Sequence, residues 1–370
     1  MKKTGQGKER GTLEGKKSHQ NQTIFFENAP QITGHYSLVG EKEGKGPLGK
    51  SFHQIMDDEY FGEKTHEAAE QKMFEHAIRG AVKDSGLKTD DIDMMISGDL
   101  LNQITSSSFA ARSFNMTFVG LYGACSTMAL NLGIGASLVN AGYLKNIVVS
   151  AGSHFATAER QYRTPLELGS QKPPVAQWTV TGCGATVISA AKNNDIFRER
   201  NGKSGEKTGN FPKIAAITFG KVQDWGTIDP NNMGAAMAPA AAATLIAHFR
   251  DTGRTPADYD AIFSGDLGKL GENILRDLLA NAGYPVDERY SDCGRMIFDH
   301  KQHAFQGGSG AGCSSVVLNG FILDKFLPKK GEEAAYKRIL FLATGALLSP
   351  VSSFQGNTIP AIAHAVVIES

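Results

Sequence analysis

Hydrophobic residues follow two alternating patterns along this chain of 370 residues. Apolar residues recur near a 3.6-residue period over 66–86, which predicts a helix that ends at Gly86. Short apolar runs without alternation, such as 147–151, predict buried strands. The other predicted elements are strand 91–96, helix 128–142, strand 186–190, helix 235–252, strand 260–264, helix 271–283, helix 313–327, strand 338–343 and strand 362–369. Helices that alternate with short strands in this way indicate α/β layers.

Two stretches of the chain are versions of one another. Residues 84–100 and 251–267 share eight identities in 17 ungapped positions at an offset of 167, and both end in Ser-Gly-Asp-Leu. Cys125-Ser126 recurs as Cys313-Ser314 at an offset of 188, so the second copy carries 21 more residues between its matches. The sequence therefore predicts a duplication whose two halves pair around a pseudo-two-fold axis.

The polar stretches set the expected boundaries. Residues 1–22 carry six Lys/Arg and two Glu with almost no apolar residues, which predicts a disordered basic tail. The alternative is that the tail binds anionic lipid or a partner weakly through electrostatic attraction. A polar, Gly-rich linker over 193–211 is expected to join a first half, 23–192, to a second half, 212–370.

Composition and charge narrow the class of protein. The formal net charge is zero, so no global field would recruit nucleic acid or an anionic membrane. Four cysteines without close metal-ligand spacing, together with no secretory signal, indicate a reducing compartment. The sequence has no apolar run of about 18 residues, so no membrane span is expected.

Cys125 carries the clearest candidate chemistry. It lies where the segment Tyr-Gly-Ala-Cys-Ser-Thr turns into helix 128–142. A thiol at a helix start faces unsatisfied N–H groups and the positive end of the dipole, which favour the nucleophilic thiolate. The alternative is a small buried apolar residue, as most free cysteines are.

This cysteine within a duplicated α/β chain resembles the thiolase and β-ketoacyl synthase superfamily. The resemblance rests on the segments 119–152, 177–190 and 343–350 and covers most of 24–370. It implies a layered αβαβα fold, an acylated cysteine at position 125, a Gly-rich loop at 343–350 beside the active site, and a homodimer.

The chain departs from the catalytic pattern of that superfamily. Condensing enzymes need His with His, or His with Asn, near the cysteine. Residues 263–269 replace a His-Gln-Ala-Asn motif and contain no His, and the Gly-rich segment 307–312 contains no Asn. His303, just before that segment, is the candidate to replace the missing His. The alternative is that His303 lies in a solvated loop. His154 follows a strand end, where a capped structural His is the alternative, and Asp99 and Asp266 of the repeated segments read first as turn residues.

Three further segments resemble a family of stage V sporulation proteins of spore-forming Firmicutes. They are 34–70, 95–114 and 354–369. The resemblance implies a non-enzymatic sporulation protein that binds dipicolinic acid (pyridine-2,6-dicarboxylate) and assists its uptake into the developing spore. It also implies membrane partners from the same operon and a peripheral position at the forespore inner membrane. No cofactor is expected, and calcium is expected only as the dipicolinate chelate.

Such a ligand, a flat aromatic dianion, needs an apolar slot and donors for two carboxylates. The candidate contacts are Cys125, His303, His154, Asp99, Asp266 and Ser309, with Lys301, Arg160 and Arg163 as further sources of charge. The competing function is an acyltransferase that uses Cys125 as acyl acceptor, His303 as base and a coenzyme A thioester as substrate. A third alternative is an assembly subunit whose pocket is a relic.

Overall fold

A computed structural model describes residues 21–162, 173–191, 211–326 and 334–370. The predicted basic tail, apart from its last two residues, lies outside this part of the chain, and so does the predicted linker apart from residue 211. Arg163 also lies outside the described residues. The predicted half boundaries therefore remain predictions.

Fourteen strands are present among the described residues. They are β1 (Thr23–Phe25), β2 (Gln31–Val39), β3 (Gln54–Ile55), β4 (Met94–Gly98), β5 (Thr117–Gly120), β6 (Asn146–Ser153), β7 (Trp178–Thr179), β8 (Gly182–Ser189), β9 (Lys213–Phe219), β10 (Ala261–Ser264), β11 (Tyr290–Asp292), β12 (Gly308–Ser309), β13 (Arg338–Ala346) and β14 (Ala361–Glu369). Strands β7 and β12 pair with each other, apart from the large sheet.

The α-helices of the described residues are α1 (Glu41–Gly44), α2 (His66–Asp84), α3 (Thr105–Ala110), α4 (Thr127–Asn140), α5 (Phe155–Tyr162), α6 (Met233–Thr252), α7 (Gly268–Asn281), α8 (Cys293–Ile297), α9 (Ala311–Val317) and α10 (Pro350–Phe354). Helix α2 begins where the Thr65 side chain accepts a hydrogen bond from the backbone N–H of Ala68. It is followed by the left-handed Gly86 predicted from the sequence. None of the helices in the described ranges is long and apolar enough to cross a membrane.

The order of the strands repeats between the halves. The first half contributes β5-β4-β6-β8-β2, and the second half contributes β11-β10-β13-β14-β9, so that β2 and β9 adjoin in one mixed sheet. In each half the first three strands of this order pair in parallel. The fourth strand pairs antiparallel with both the third and the fifth. The repeated Ser-Gly-Asp-Leu segments end the corresponding strands β4 and β10. The structure thus confirms the duplication that the repeat predicted.

The helices form three layers around this sheet. Helices α4 and α9 lie in the middle: α4 packs on strands of both halves, and α9 packs on β2, β6 and β8. Helix α2 covers the outer face of the first half, and α6 covers the outer face of the second. Three clusters of buried apolar side chains fill the spaces between these layers. This is the layered αβαβα arrangement that the resemblance to the superfamily implied.

Candidate functional site

The turn that carries Cys125 is built by local hydrogen bonds. Ala124 has a left-handed backbone with φ of 50°, which is unusual for a residue with a Cβ. The hydroxyl of Ser126 donates to the carbonyl of Gly123 at 2.6 Å, and that of Thr127 donates to the carbonyl of Ala124 at 2.6 Å. Helix α4 follows at once, so these bonds fix the thiol at its N-terminal end, as the sequence predicted.

The predicted Gly-rich loop reaches this turn from the other half of the protein. A Cβ at Gly345, near the end of β13, would lie 2.2 Å from the carbonyl oxygen of Gly123 and 3.2 Å from the backbone nitrogen of Cys125. Only a glycine allows the two backbones to approach this closely. The segment 343–350 therefore lies beside the cysteine, as predicted.

Cys125 faces a narrow cavity between the two halves. The residues that line it are Leu100, Tyr122, Ala124, Cys125, Ala158, Tyr162, Thr179, Met233, Ser309, Gly310, Ala346 and Leu348. The cavity volume is about 30 Å³, which leaves room for little more than one or two water molecules. Its walls are mainly apolar, with hydroxyl groups as the principal polar side chains.

Two tyrosines lie at this cavity. The hydroxyl of Tyr162 donates to the carbonyl of Leu100 at 2.7 Å and lies 3.4 Å from the hydroxyl of Tyr122. Tyr122 is 45% exposed, whereas Cys125 is only 5% exposed. Tyr122 therefore lies on the solvent side of the thiol.

Asp266 neighbours the thiol of Cys125 but is not among the residues that line the cavity. Its carboxyl neighbours the thiols of Cys125 and Cys313 and the backbone N–H of Ser314. These contacts are weak, since neither carboxyl oxygen makes a hydrogen bond of normal geometry within the described residues. Burial, followed by the nearby charge of Asp292, raises the pKa of Asp266 well above its usual value. Its backbone is also left-handed, with φ of 70°.

The electrostatic surroundings hold Cys125 in its thiol form. Burial is the larger cause, and the Asp266 carboxyl is the next, of a pKa for Cys125 well above the usual value. The N–H of Gly310 acts in the opposite direction but does not outweigh them. The helix start therefore does not produce a thiolate here, contrary to what its position alone favours.

Asp99, the counterpart of Asp266 in the first half, has a different environment. Its carboxyl accepts hydrogen bonds from the N–H of Leu101 at 2.9 Å and from both the N–H and the hydroxyl of Ser107 at 2.7 Å. It does not line the cavity. The contacts of Asp99 are those of a turn residue, which is the first interpretation of the aspartates in the repeated segments.

The two predicted histidines lie away from the cavity lining. His154 is fully buried, with Nε2 2.8 Å from the carbonyl of Glu59, and its Nδ1 accepts from the N–H of Ala156 at 3.1 Å. The bond from Ala156 caps the start of α5, and burial lowers the pKa of His154 to about 4. His303 is exposed and follows a short 3₁₀ turn, His300–Gln302, which also contains the exposed Lys301.

Arg160 lines a separate open recess of about 330 Å³ and pairs there with Glu67. Of the six contacts predicted from the sequence, the structure therefore brings together Cys125 and Ser309 at the cavity, with Asp266 next to the thiol. Asp99, His154 and His303 are not brought there. Direct contact of any of these residues with a ligand stays a prediction.

Several cavity residues were not identified from the sequence. Tyr122 stands three positions before Cys125, and Thr179 lies within the quoted segment 177–190, so both had a local signal. Tyr162 and Met233 had no local signal in the sequence, since they follow segments without a recognisable motif. They reach the cavity only through the packing of α5 and α6.

This architecture, with a cysteine at the start of a central helix in a duplicated αβαβα fold, defines a thiolase-like protein. Comparison with solved structures agrees. OleA of Xanthomonas campestris with bound cerulenin superposes with a TM-score of 0.57 at 14% identity, covering 95% of this chain and 100% of that one. The 3-oxoacyl-[acyl-carrier-protein] synthase III of Aquifex aeolicus gives 0.50 at 13% identity, covering 92% and 100%.

Sequence comparison identifies the family within this class. The family model for stage V sporulation protein AD matches residues 20–369. The stage V sporulation protein AD of Bacillus subtilis (strain 168) is 42% identical over 348 residues, which cover 94% of this chain and 96% of that protein. The chain belongs to the stage V sporulation protein AD family.

Proposed function

We propose that this protein binds pyridine-2,6-dicarboxylate in the cavity at Cys125 and assists its uptake into the developing spore. In this role it acts at the forespore inner membrane, as the peripheral subunit of a complex with membrane proteins of the same operon. Membership of a sporulation family supports the setting. The ligand is the one that the resemblance implied.

The environment of Cys125 is the observation that carries the binding role over catalysis. None of the described residues that line the cavity is His or Asn. The polar group beside the thiol is the carboxyl of Asp266, which raises the pKa of Cys125 further instead of acting as a cationic partner. A condensing enzyme needs groups that stabilise negative charge at this place. The cavity thus keeps the thiolase position without the groups for its chemistry.

The lining also bears on the form of the ligand. No Lys or Arg is among the described residues around the cavity, and its polar side chains are hydroxyls such as Thr179 and Ser309. A bare dianion would pay a large desolvation cost in such a place. The one-to-one chelate of the dianion with calcium is neutral, so we propose that calcium enters as part of the ligand.

The cavity must widen when the ligand binds. Its volume of about 30 Å³ is far below the several hundred Å³ of typical ligand pockets. The hydroxyls of Tyr122 and Tyr162 are joined by a long contact of 3.4 Å, and Tyr122 is 45% exposed, so the two side chains are the part of the lining that we expect to move. Rotation of these two side chains opens the cavity to solvent in this proposal.

Calorimetric titration of the full chain with pyridine-2,6-dicarboxylate, with and without calcium, tests the function. We expect saturable binding that is tighter with calcium, and at least tenfold weaker in Cys125→Leu and in Thr179→Val. Cys183→Leu is the matched control, because Cys183 is buried in β8 and does not line the cavity.

The variant His303→Ala tests the predicted contact between His303 and the ligand separately from the residues that line the cavity. No binding by the wild-type chain, together with acylation of Cys125 by a short acyl-coenzyme A, would overturn the proposal and support the acyltransferase.

A further inference from the structure

Five large apolar side chains are strongly exposed on one part of the second half. They lie in the segment 221–228 and in α10, and each is more than half exposed, up to 85% for Phe354. Together they form what we call the apolar surface: Val222, Trp225, Ile228, Val351 and Phe354. Exposed apolar side chains gathered in this way mark a surface that meets another apolar body.

Backbone hydrogen bonds hold the segment 221–228 against the chain that follows α10. Gln223 and Ala361 each donate an N–H to the carbonyl of the other at 2.8 Å, and the N–H of Ile359 donates to the carbonyl of Thr227 at 2.7 Å. Helix α10 precedes these bonds by a short turn. The five exposed side chains therefore belong to neighbouring segments of the fold.

The same two segments lead into the lining of the cavity. The segment 221–228 is followed by Met233 at the start of α6, and α10 comes directly after Ala346 and Leu348. All three of these residues line the cavity at Cys125. A body that docks on the apolar surface therefore lies close to the cavity.

The apolar surface offers little charge of its own. Residues 347–360 contain no Asp, Glu, Lys or Arg, and residues 220–228 contain only Lys221 and Asp224. The Asp224 carboxyl accepts a hydrogen bond from the hydroxyl of Thr358 at 2.5 Å. The surface is therefore suited to an apolar occupant and not to a strongly charged one.

The basic tail joins the described chain beside this surface. The carbonyl of Gln22 accepts from the N–H of Phe219 at 3.0 Å, and the side-chain nitrogen of Gln22 donates to the carbonyl of Phe219 at 2.9 Å. Val222 follows only three residues later. Residues 1–20 carry six Lys/Arg and two Glu, so the tail concentrates positive charge here although the formal net charge of the chain is zero.

We propose that the apolar surface inserts into the interface of an anionic phospholipid bilayer, while the basic tail binds the headgroups. Exposed Trp and Phe side chains favour the boundary between headgroups and acyl chains, and Lys and Arg attract anionic lipid. Stable attachment without a membrane span takes two such signals, and here they occur side by side. An anionic bilayer matches both at once, because its charge lies at the surface and its apolar phase lies directly beneath.

This inference rests on the peripheral membrane position in the proposed function, but not on the ligand bound at Cys125. It adds the face of the molecule that meets the bilayer. Because the apolar surface adjoins the cavity, this orientation brings the cavity close to membrane-embedded partners.

Co-sedimentation of the full chain with vesicles tests the proposal, using pure phosphatidylcholine and an equal mixture with phosphatidylglycerol. We expect binding to the mixed vesicles only, about tenfold weaker in Trp225→Ser and in Phe354→Ser. Tyr143→Ser should bind like the wild type and is the matched control, because Tyr143 is a strongly exposed aromatic residue after α4. The double variant Lys16→Gln with Lys17→Gln should bind more weakly and depend less on salt.

The fluorescence of Trp225 shows whether the apolar surface enters the bilayer. Trp178 is the only other tryptophan of the chain, so Trp178→Phe leaves Trp225 as a single probe. Its emission should shift to shorter wavelength on the mixed vesicles and should be quenched by brominated lipid. Vesicle binding that leaves this emission unchanged would overturn the proposal, since the tail alone would then make the contact.

Two further results would also overturn it. Equal vesicle binding by the wild type, Trp225→Ser and Phe354→Ser would mean that the apolar surface takes no part. Absence of vesicle binding by the wild type would exclude the bilayer and favour a membrane protein as the occupant.

Calorimetric titration of Trp225→Ser separates this inference from the proposed function. Without vesicles, this variant should bind pyridine-2,6-dicarboxylate like the wild type, because Trp225 does not line the cavity. Vesicle binding by a wild-type chain that does not bind the dicarboxylate would refute the proposed ligand and leave the membrane surface standing. Dicarboxylate binding without vesicle binding would refute the membrane surface alone.

Discussion

At the scale of single residues, the duplication has given one aspartate two different environments. Asp99 makes three short hydrogen bonds to its own loop, whereas Asp266, at the same place in the second half, makes none of normal geometry within the described residues. An unsatisfied buried polar group costs stability and often marks a functional site. Asp266 is therefore one of the second-half residues that set the environment of Cys125, beside Gly310 and Gly345.

Replacing Asp266 by Asn should make Cys125 more reactive. The neighbouring carboxyl is the second cause of its raised pKa, so its removal lowers that pKa and increases the fraction of thiolate. We expect alkylation of Cys125 by iodoacetamide at pH 8 to become several-fold faster, as measured by mass spectrometry.

Cys183 in the same chains is the internal control, because its pKa is raised by burial, Glu70 and Asp99 and not by Asp266. Equal acceleration at Cys125 and Cys183 would indicate a general loosening of the fold instead of a local electrostatic effect.

Glu70 makes the stability of the protein depend on pH. Burial, followed by the charge of Asp99, raises its pKa from 4.5 to about 8. The folded chain therefore keeps this proton at pH values where the unfolded chain has lost it, so the contribution of Glu70 to the free energy of unfolding falls as pH rises from about 4.5 to about 8. Glu70→Gln removes this contribution, and its amide oxygen can still accept from Thr157, whose hydroxyl donates to Glu70 at 2.7 Å.

Urea unfolding at pH 5 and pH 8 measures the effect. Between these values the wild type and the exposed control Glu288→Gln should lose more stability than Glu70→Gln, by a difference on the order of a few kcal/mol. Parallel losses in all three proteins would show that Glu70 ionises normally in the folded state.

At the scale of elements, periodic segments were predicted well and irregular ones were not. Helix 66–86 is α2 almost to the residue, because its apolar face alone specifies it. Strand β2 was missed although it lies in the middle of the sheet. Its buried polar residues find distant partners, such as Thr33 with Ser189 at 2.9 Å and His35 with Asn319, which a local pattern cannot show.

The predicted helix 313–327 was wrong in form. It is α-helical only over Ala311–Val317 and continues as a π-helical turn, Leu318–Ile322, and a 3₁₀ turn, Leu323–Phe326. The apolar pattern indicates a helix but does not distinguish these hydrogen-bonding registers. The irregular part is the one that carries Asn319, whose backbone carbonyl lies 2.7 Å from Nδ1 of His35, so this contact with β2 depends on a feature that the sequence could not reveal.

The contact between β13 and the cysteine turn should be intolerant of any side chain. In Gly345→Ala the new Cβ would lie 2.2 Å from a backbone carbonyl, so one of the two backbones must move. We expect a loss of about 2–4 kcal/mol in the free energy of unfolding, since overpacking against backbone is not relieved by rotamer changes. Gly356→Ala is the control, because its Cβ would meet nothing and only its left-handed backbone, with φ of 73°, is strained.

Chemical unfolding of both variants provides the measurement. A Gly345→Ala protein as stable as Gly356→Ala would mean that the cysteine turn is not held by β13.

At the scale of the whole molecule, the symmetric strand order of the described residues ends in two edge strands, β5 and β11. An uncovered edge strand presents unpaired backbone groups and favours pairing with another chain. The superfamily resemblance predicted a homodimer formed through the central sheets, and the first half offers β5, with exposed residues at both ends, for that purpose. Antiparallel pairing of two β5 strands would continue the sheet across the dimer, with the same residues of both copies near the two-fold axis.

A charge on β5 should therefore separate the dimer. Thr117 is exposed at the start of this strand, so Thr117→Glu would place a charge at each end of the paired β5 strands, where the pairing would strip it of water. Analytical ultracentrifugation should show the wild type at twice the chain mass of 39.6 kDa and Thr117→Glu shifted toward one chain. Ser291→Glu, on the opposite edge strand β11, is the matched control and should remain dimeric. A wild-type monomer would exclude the dimer, and dissociation by Ser291→Glu alone would place the interface on the second half instead.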